Sequence, residues 1–172
     1  MKKQILAAIV VALGLGIFTP RPALGADWVR LNYRGFSRRV PVALLTTLAD
    51  TGASSGVLRG LLNQAGQNPE ELRSLLTRPL PADPILLDRA LNSRPGGWVL
   101  DYVGQSIHTG RGEANRQALR SALVLSAVDD QQITLLEVLQ NYPTEEVVLE
   151  GDNIQAAYSR LASFLRPLAI FL

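Results

Sequence analysis

The stretch from Gly52 to Gly56 carries the residue types of a serine nucleophile. It reads GASSG, so Ser54 occupies the centre of a G-x-S-x-G pattern. In serine hydrolases this pattern marks a sharp strand-to-helix turn, from which the serine hydroxyl attacks an acyl carbonyl. Asp101 and His108 follow in the chain order that one class of catalytic triad uses. These residues are the candidates for an acyl-transfer site, with Ser54 as nucleophile and His108 as base.

The residues around Ser54 favour a different structure. A nucleophile elbow needs a buried strand before the serine, whereas residues 42–51 show apolar residues at helical spacing and Gly52 can end that helix. The pattern predicts a turn between two helices, with Ser54 or Ser55 capping the second. No succession of βαβ units is visible in the sequence, although an α/β-hydrolase needs several. We predict no catalytic residues; a cryptic serine hydrolase that uses the three candidates is the alternative.

Metal and cofactor sites find little support in the composition. The chain has no cysteine and a single histidine, which removes thiol catalysis, cysteine-based zinc sites and multi-histidine sites. His108 lies in the segment IHTGRG between helices, where a surface or loop-capping role is the simpler interpretation. Acidic pairs occur without the partners of a metal site or a glycosidase: Glu70–Glu71, Asp129–Asp130 and Glu145–Glu146. We expect no metal and no cofactor.

Residues 1–25 have the pattern of a secretory signal peptide. Two lysines precede an uncharged apolar run from Ile5 to Phe18, and Ala23-Leu24-Gly25 supplies small residues for cleavage. The run has 14 residues, fewer than the roughly 20 of a membrane-spanning helix, so a membrane anchor is the weaker alternative. We predict cleavage after Gly25, export to the periplasm or the extracellular space, and a single mature domain over residues 26–172.

The charge balance argues against nucleic acid as a partner. The 17 Lys and Arg residues of the whole chain exceed its 15 Asp and Glu residues. Lys2, Lys3 and Arg21 would leave with the signal peptide, so the mature domain would carry 14 basic residues against 15 acidic ones. A near-neutral domain without a long basic run is a poor candidate for nucleic-acid binding.

Alternating residues and turn signals predict a short β-hairpin at the start of the domain. Its extended segments are Trp28–Asn32 and Phe36–Val40, and Arg34-Gly35 supplies the glycine of a tight turn. Residues 146–150 (EVVLE) are the one later segment with strand character. The remaining apolar pattern is helical. The predicted fold class is therefore mainly α (α+β), a compact bundle of about seven or eight short helices with a β-hairpin or a three-stranded sheet.

Start and stop signals predict the helix boundaries. A capping residue followed by proline begins helices at Asn68-Pro69 and Asp83-Pro84. Pro95-Gly96-Gly97 is predicted to break the chain, so that the next helix runs from about Trp98 to Val103. Residues 104–112 are predicted as a second break without regular structure.

Six segments, in order, carry a resemblance to a known family. The resemblance extends over most of residues 27–165, and the segments that carry it are VRLNYRGFSRRVPVALLTTLADTG, LLNQAG, ELRSLL, VLDYVGQSIHT, ALRSALVLSAVD and ITLLEVLQNYP. In this order they resemble a cyanobacterial family, the domain of unknown function numbered fourteen hundred. Two features depart from the family pattern, since Arg34 separates Tyr33 from Gly35 and Tyr142 stands where the family usually has phenylalanine.

The resemblance implies a link to hydrolases. Members of the family often carry this region in front of an α/β-hydrolase domain, so the resemblance implies association with such an enzyme and transfers no catalytic residue. We expect a stand-alone, non-catalytic, exported accessory or interaction domain whose protein partner is an α/β-hydrolase. A carrier of a small apolar ligand is a further alternative, because leucine-rich helical domains can enclose a cavity.

Residues 168–172 form an apolar carboxyl-terminal tail, LAIFL. Arg166-Pro167 is predicted to end the last helix just before it, because proline disfavours helix in the preceding residue. The tail is too short to span a bilayer. We expect it either to fold back onto the domain or to form part of a binding surface, and contact with a membrane surface stays open.

Overall fold

Residues 25–112 and 114–168 are described by the computed structural model of the protein. The strands there are β1 (Trp28–Tyr33), β2 (Phe36–Pro41), β3 (Leu80–Pro81), β4 (Ile107–Thr109), β5 (Gln132–Ile133) and β6 (Glu146–Glu150). The helices are α1 (Val42–Thr51), α2 (Gly56–Ala65), α3 (Pro69–Thr77), α4 (Pro84–Leu91), α5 (Arg94–Val103), α6 (Asn115–Ser126), α7 (Leu135–Gln140) and α8 (Ile154–Leu165). The predicted α+β class with about eight short helices is confirmed.

The first two strands form the predicted hairpin, closed by a two-residue turn. Arg34 and Gly35 have φ angles of 45° and 79°, the left-handed conformation that a type I′ turn needs at both central positions. Only glycine adopts it without steric cost, so Arg34 is strained. The antiparallel register pairs Tyr33 with Phe36, which places these two side chains on the same face of the hairpin.

The hairpin belongs to a four-stranded sheet with the order β2-β1-β6-β4. Residues 146–150, the predicted third strand, join it as β6, parallel to β1. The expectation of no regular structure over residues 104–112 was wrong, because Ile107–Thr109 pairs antiparallel with β6 as β4. A three-residue strand is too short to show a periodic pattern, so its formation depends on the neighbouring strand.

The core lies between one face of this sheet and the helices. Val29, Val40, Val147 and Leu149 project from that face into a cluster shared with leucines of the helices. The leucines with almost no exposed surface include Leu48, Leu87, Leu119 and Leu139. The opposite face of the sheet is mostly polar, and there Glu146 pairs with Arg30 and Arg39, although Val148 is buried on the same face. The main core therefore lies against one side of the sheet, as the alternation along its strands indicates.

Helix α5 begins at Arg94, four residues before the predicted start at Trp98. The predicted break at residues 95–97 was wrong, because these residues form the first turn of the helix. The Ser93 side chain caps it by accepting a hydrogen bond from the Gly96 N–H at 3.2 Å. A Cβ atom on Gly96 would lie 2.1 Å from the Ala90 carbonyl oxygen of α4. The glycine therefore permits close contact between α4 and α5 rather than ending a helix.

Two terminal predictions lie partly outside the described residues. Helix α8 ends at Leu165, as the Arg166-Pro167 signal predicted, and Leu168 packs partly buried against the core. The rest of the apolar tail, residues 169–172, lies outside the described residues, as do residues 1–24 of the predicted signal peptide. Among the helices that the structure describes, none has both the length and the apolar character needed to cross a bilayer.

Candidate functional site

Ser54 lies in the connection between α1 and α2, so a helix and not a strand directly precedes it. Gly52, at φ 72°, ends α1, and its N–H donates to the Leu48 carbonyl oxygen at 2.9 Å. Of the two serines considered as caps, Ser55 caps α2, because its Oγ accepts from the Leu58 N–H at 3.1 Å. Ser54 Oγ lies 3.5 Å from the Ser55 carbonyl oxygen. The predicted turn between two helices is confirmed.

Asp101 and His108 lie on other elements and have partners of their own. Asp101 of α5 forms a bidentate ion pair with Arg116 of α6. Arg116 Nε lies 3.0 Å from Asp101 Oδ1, and Arg116 Nη2 lies 2.5 Å from Asp101 Oδ2. The hydrogen bond and negative charge of Asp101 raise the pKa of Arg116. On β4, His108 Nδ1 lies 2.9 Å from the Thr109 carbonyl oxygen and Nε2 lies 3.5 Å from Glu150 Oε1. In the described part of the chain, none of these bonds joins two of the three candidates.

The polar face of the sheet gathers the charged groups nearest to His108. Glu150 also accepts from Asn32 Nδ2 at 2.7 Å, so its carboxylate is shared between a strand neighbour and the histidine. These side chains remain partly exposed, and such surface pairs contribute little to stability. Over residues 25–112 and 114–168, no three His, Cys, Asp or Glu side chains come together where they could hold a metal ion.

An apolar cleft of about 430 Å³ opens between the hairpin and the helices α2 and α3. Its buried floor consists of Val40, Leu58, Leu62, Leu149 and Ile154. Its half-buried walls are Leu31, Leu61, Leu72 and Leu75. Phe36 is 41% exposed at the mouth. Small-molecule sites are concave, mostly apolar and typically about 300–1,000 Å³ in volume, so this cleft has the character of such a site.

The local sequence explains why the cleft forms at this place. Leu58, Leu61 and Leu62 recur at helical spacing along α2 and present one apolar stripe. Gly66, at φ 66°, ends α2 and turns the chain into α3. Just after it, the Gln67 side chain donates a hydrogen bond from Nε2 to the Tyr33 hydroxyl at 2.8 Å. This bond joins the turn between the helices to the hairpin and sets the spacing between the two sides.

Two arginines and two acids lie at the rim of the cleft. Arg34 and Arg38 come from the hairpin, Glu71 from α3, and Asp152 from the turn after β6. The Asp152 carboxylate accepts the Arg34 backbone N–H at 3.0 Å. The Arg34 guanidinium lies 5.3 Å from the centroid of the Tyr33 ring, and Arg38 Nη1 donates to the Ser37 carbonyl oxygen at 2.9 Å. Among the described residues, neither guanidinium has a carboxylate within 4.0 Å.

The position of this cleft was not predicted from the sequence, although a carrier of a small apolar ligand was one of the alternatives. Its lining comes from positions as distant as Leu31 and Gln155. Leucines such as Leu61 and Leu72 have the spacing of ordinary core positions on amphipathic helices. Periodicity identifies the buried side of a helix, but it does not separate a leucine that faces a closed core from one that faces an open cleft. The one sequence feature that could have indicated the cleft is the pair of arginines, Arg34 and Arg38, on either side of Phe36 in the hairpin.

Comparison with known proteins gives one match. A family model described as "Alpha/beta hydrolase of unknown function (DUF1400)" matches residues 25–150. No curated protein and no solved structure matches the chain. The matched residues include the hairpin, α2, α3 and β6, which together build most of the cleft. The predicted resemblance is confirmed, and the chain belongs to the DUF1400 family of α/β-hydrolases of unknown function.

Proposed function

We propose that this chain is an exported, non-catalytic accessory domain of its hydrolase family, and that it holds a small amphipathic molecule in the apolar cleft. The cleft is the observation that carries the proposal, because it combines about 430 Å³ of space with leucine walls and a polar rim. Apolar surface moved out of water gains about 25 cal/mol per Å². An alkyl chain in the cleft would gain this energy while its polar end stayed at the rim.

The proposal that the domain is non-catalytic is supported by the hydrogen bonds and ion pairs of Ser54, Asp101 and His108. A serine nucleophile and its base need to lie within about 2.6–3.2 Å of each other, although free enzymes can show somewhat longer distances. Ser54 Oγ is directed to the neighbouring Ser55 carbonyl, and His108 is held on the sheet by Thr109 and Glu150. Asp101 is neutralised by Arg116. These contacts favour structural roles for all three.

A fluorophosphonate probe tests this part directly. We expect no covalent labelling of the purified domain and no hydrolysis of short acyl esters. Ser54→Ala is the matched variant, because it removes the candidate hydroxyl and leaves the cap at Ser55 intact. Stoichiometric labelling that disappears in Ser54→Ala would contradict the proposal and favour the cryptic hydrolase.

The binding part is tested with N-phenyl-1-naphthylamine, an uncharged apolar dye whose fluorescence rises when it leaves water. Leu61→Arg and Leu72→Arg would each place a charge in a cleft wall, whereas Ile85→Arg places one on α4, where Ile85 is already 62% exposed. We expect wild type and Ile85→Arg to bind equally and the wall variants to bind at least tenfold more weakly, with circular dichroism verifying the fold. Equal binding of the dye by all four proteins, or by none of them, would contradict binding in the cleft.

Export rests on the predicted signal peptide. We expect the protein recovered outside the cytoplasm to begin at Ala26 or within one or two residues of it, as amino-terminal sequencing would show. Recovery of a form that still begins at Met1 in the membrane fraction would instead favour the anchor interpretation.

A hydrolase partner is a second candidate function, favoured by an aromatic surface on α5. Trp98 is 74% exposed, and Tyr102 lies one turn further along the same helix. The Arg160 guanidinium lies 4.9 Å from the centroid of the Tyr102 ring. Tryptophan, tyrosine and arginine are enriched at protein interfaces, where they contribute much of the binding energy. This surface is separate from the residues that line the cleft.

Affinity capture from a native extract tests the partner. Wild type is expected to recover an α/β-hydrolase, and Trp98→Ala is expected to recover much less of it. Ile85→Arg serves again as the control for a change on another exposed surface. Equal recovery of the hydrolase by Trp98→Ala and wild type would exclude this surface as the interface.

A further inference from the structure

We propose that the cleft selects a long-chain carboxylate and binds its head through Arg34 and Arg38 at the hairpin side of the mouth. This inference rests on the proposed function, since it requires the cleft to bind a small amphipathic molecule. It specifies the charge of the ligand's head group, the side of the mouth on which that group lies, and the direction in which the alkyl chain extends.

The charge of the head follows from the two guanidinium groups. Arg34 lies in the hairpin turn and Arg38 lies on β2, so both belong to one side of the mouth. Arg38 shares a face of the strand with Phe36 and Val40, which also line the cleft. Within the described residues, no carboxylate forms an ion pair with either guanidinium. A guanidinium offers two parallel N–H donors that match a carboxylate, so the pair is available for an anionic head.

The acids at the rim are placed differently. Asp152 keeps its negative charge beside the hairpin, where its carboxylate accepts the Arg34 backbone N–H at 3.0 Å, but the two guanidinium groups on that side outnumber it. Glu71 lies across the mouth in the first turn of α3, where the helix dipole favours a negative charge. An anionic head therefore gains most on the hairpin side and is repelled from the α3 side.

The apolar interior gives the direction of the chain. Leu75 and Ile154 line the cleft and also line a second, smaller cavity of about 40 Å³. They therefore mark the end of the cleft that adjoins the second cavity. A ligand with its head at Arg34 and Arg38 would extend its alkyl chain over the leucines of α2 and α3 toward this end.

Displacement of N-phenyl-1-naphthylamine by three ligands of equal chain length tests the inference: dodecanoate, dodecanol and dodecylamine. With wild type, we expect dodecanoate to displace the dye at a concentration at least tenfold lower than dodecanol. With Arg34→Gln/Arg38→Gln, dodecanoate should lose that advantage while dodecanol is unchanged. Arg39→Gln is the matched control, because Arg39 is the next residue of β2 and lies on the opposite face, paired with Glu146.

The outcomes separate this inference from the proposed function. Equal displacement by dodecanoate and dodecanol would overturn the anionic head and leave the apolar cleft intact. Tightest binding of dodecylamine would also overturn it and assign recognition to the acids at the rim, Glu71 and Asp152. An unchanged preference for dodecanoate in the double variant would overturn the role of the two arginines. Failure of the dye to bind wild type at all would contradict the proposed function itself.

Discussion

At the scale of single residues, Ser55 sets the start of α2, because its side chain satisfies the Leu58 N–H. We predict that Ser55→Ala lowers the free energy of unfolding by about 1 kcal/mol, the usual value of an N-cap. Ser54→Ala is the matched control and should change it by less than about 0.5 kcal/mol, as a residue without such a bond does. Urea unfolding of the three proteins measures both values. A larger loss in Ser54→Ala than in Ser55→Ala would contradict the assignment of the cap.

Tyr142 carries a buried hydroxyl that lacks a hydrogen-bond partner among the described residues. The side chain is fully buried, with almost no surface exposed to solvent. An unsatisfied buried polar group costs about 1–3 kcal/mol. We therefore predict that Tyr142→Phe raises the free energy of unfolding by about 1 kcal/mol, measured by urea unfolding at pH 7. A loss of that size would show that the hydroxyl has a favourable contact.

The same hydroxyl gives a pH dependence. Burial raises the pKa of Tyr142 to about 12 from its ordinary value of 10.0. Above pH 10 the unfolded chain releases the phenolic proton more readily than the folded chain, so the stability of wild type falls as the pH rises from 10 to 12. Tyr142→Phe lacks this contribution, and its stability should fall less over that range. Parallel curves for the two proteins between pH 10 and pH 12 would contradict the raised pKa.

The roles of Ser55 and Tyr142 were only partly predictable from the sequence. The sequence restricted the cap of α2 to Ser54 or Ser55, because both precede the same apolar run, but backbone geometry decides which side chain reaches Leu58. The departure at Tyr142 was visible as a residue type. Its consequence depends on the absence of a partner in the packed core, which a linear sequence does not display.

At the scale of elements, Gly96 controls the contact between α4 and α5. A Cβ atom there would lie 2.1 Å from the Ala90 carbonyl oxygen and 2.6 Å from the Leu91 Cα atom, so the helices would have to separate. We predict that Gly96→Ala lowers the free energy of unfolding by about 1–3 kcal/mol, the usual cost of overpacking. Thermal or urea unfolding measures the change.

Gly97 provides the matched control for that change. A Cβ atom there would meet only the Arg116 side chain at 3.6 Å, an ordinary contact distance. Gly97→Ala should leave stability unchanged or raise it by up to about 1 kcal/mol, because alanine favours helix more than glycine does. Similar losses in the two variants would show that the close approach of α4 is not the cause.

Helices and strands were predicted correctly where the sequence pattern was long. They were predicted incorrectly where packing between elements determines the structure. Caps and prolines gave the starts of α3 and α4, and the alternation gave the hairpin. Pro95-Gly96-Gly97 contains residues that often break helices, yet proline is tolerated in a first turn and the glycine is required by a neighbouring helix. Strand β4 has three residues and exists because β6 lies beside it. These two errors arise from contacts between elements.

At the scale of the whole molecule, the first residue of the apolar tail adds to the core, because Leu168 packs against it, partly buried. We predict that truncation after Pro167 lowers the melting temperature by about 2–4 °C, which corresponds to about 1 kcal/mol for a chain of this size. In the full chain, Leu168→Ser should reproduce part of that loss. An unchanged melting temperature in the truncated protein, together with weaker capture of a partner, would place the tail in an interface instead.

Family and fold class were predictable at this scale, and the cleft was not. The order of the six segments indicated the family, and the periodicity of the apolar residues indicated the α+β class. The cleft forms where the hairpin meets α2 and α3, and its size depends on how closely these layers approach. The hydrogen bond from Gln67 to Tyr33, between residues 34 positions apart, sets that approach at one end. Such a contact between distant polar residues has no periodic signature.

Photocrosslinking tests whether the cleft binds a small amphipathic molecule, because it identifies the residues that contact the ligand. The predicted mature domain contains no lysine, so trypsin cuts it only after arginine, and residues 60–73 form one peptide that carries Leu61, Leu62 and Leu72. After irradiation with a diazirine-bearing dodecanoate, mass spectrometry should find the label in this peptide, with excess unlabelled dodecanoate abolishing it. Label confined to the peptide of residues 90–111, which contains Trp98, or spread without competition over all peptides, would contradict the cleft as the binding site.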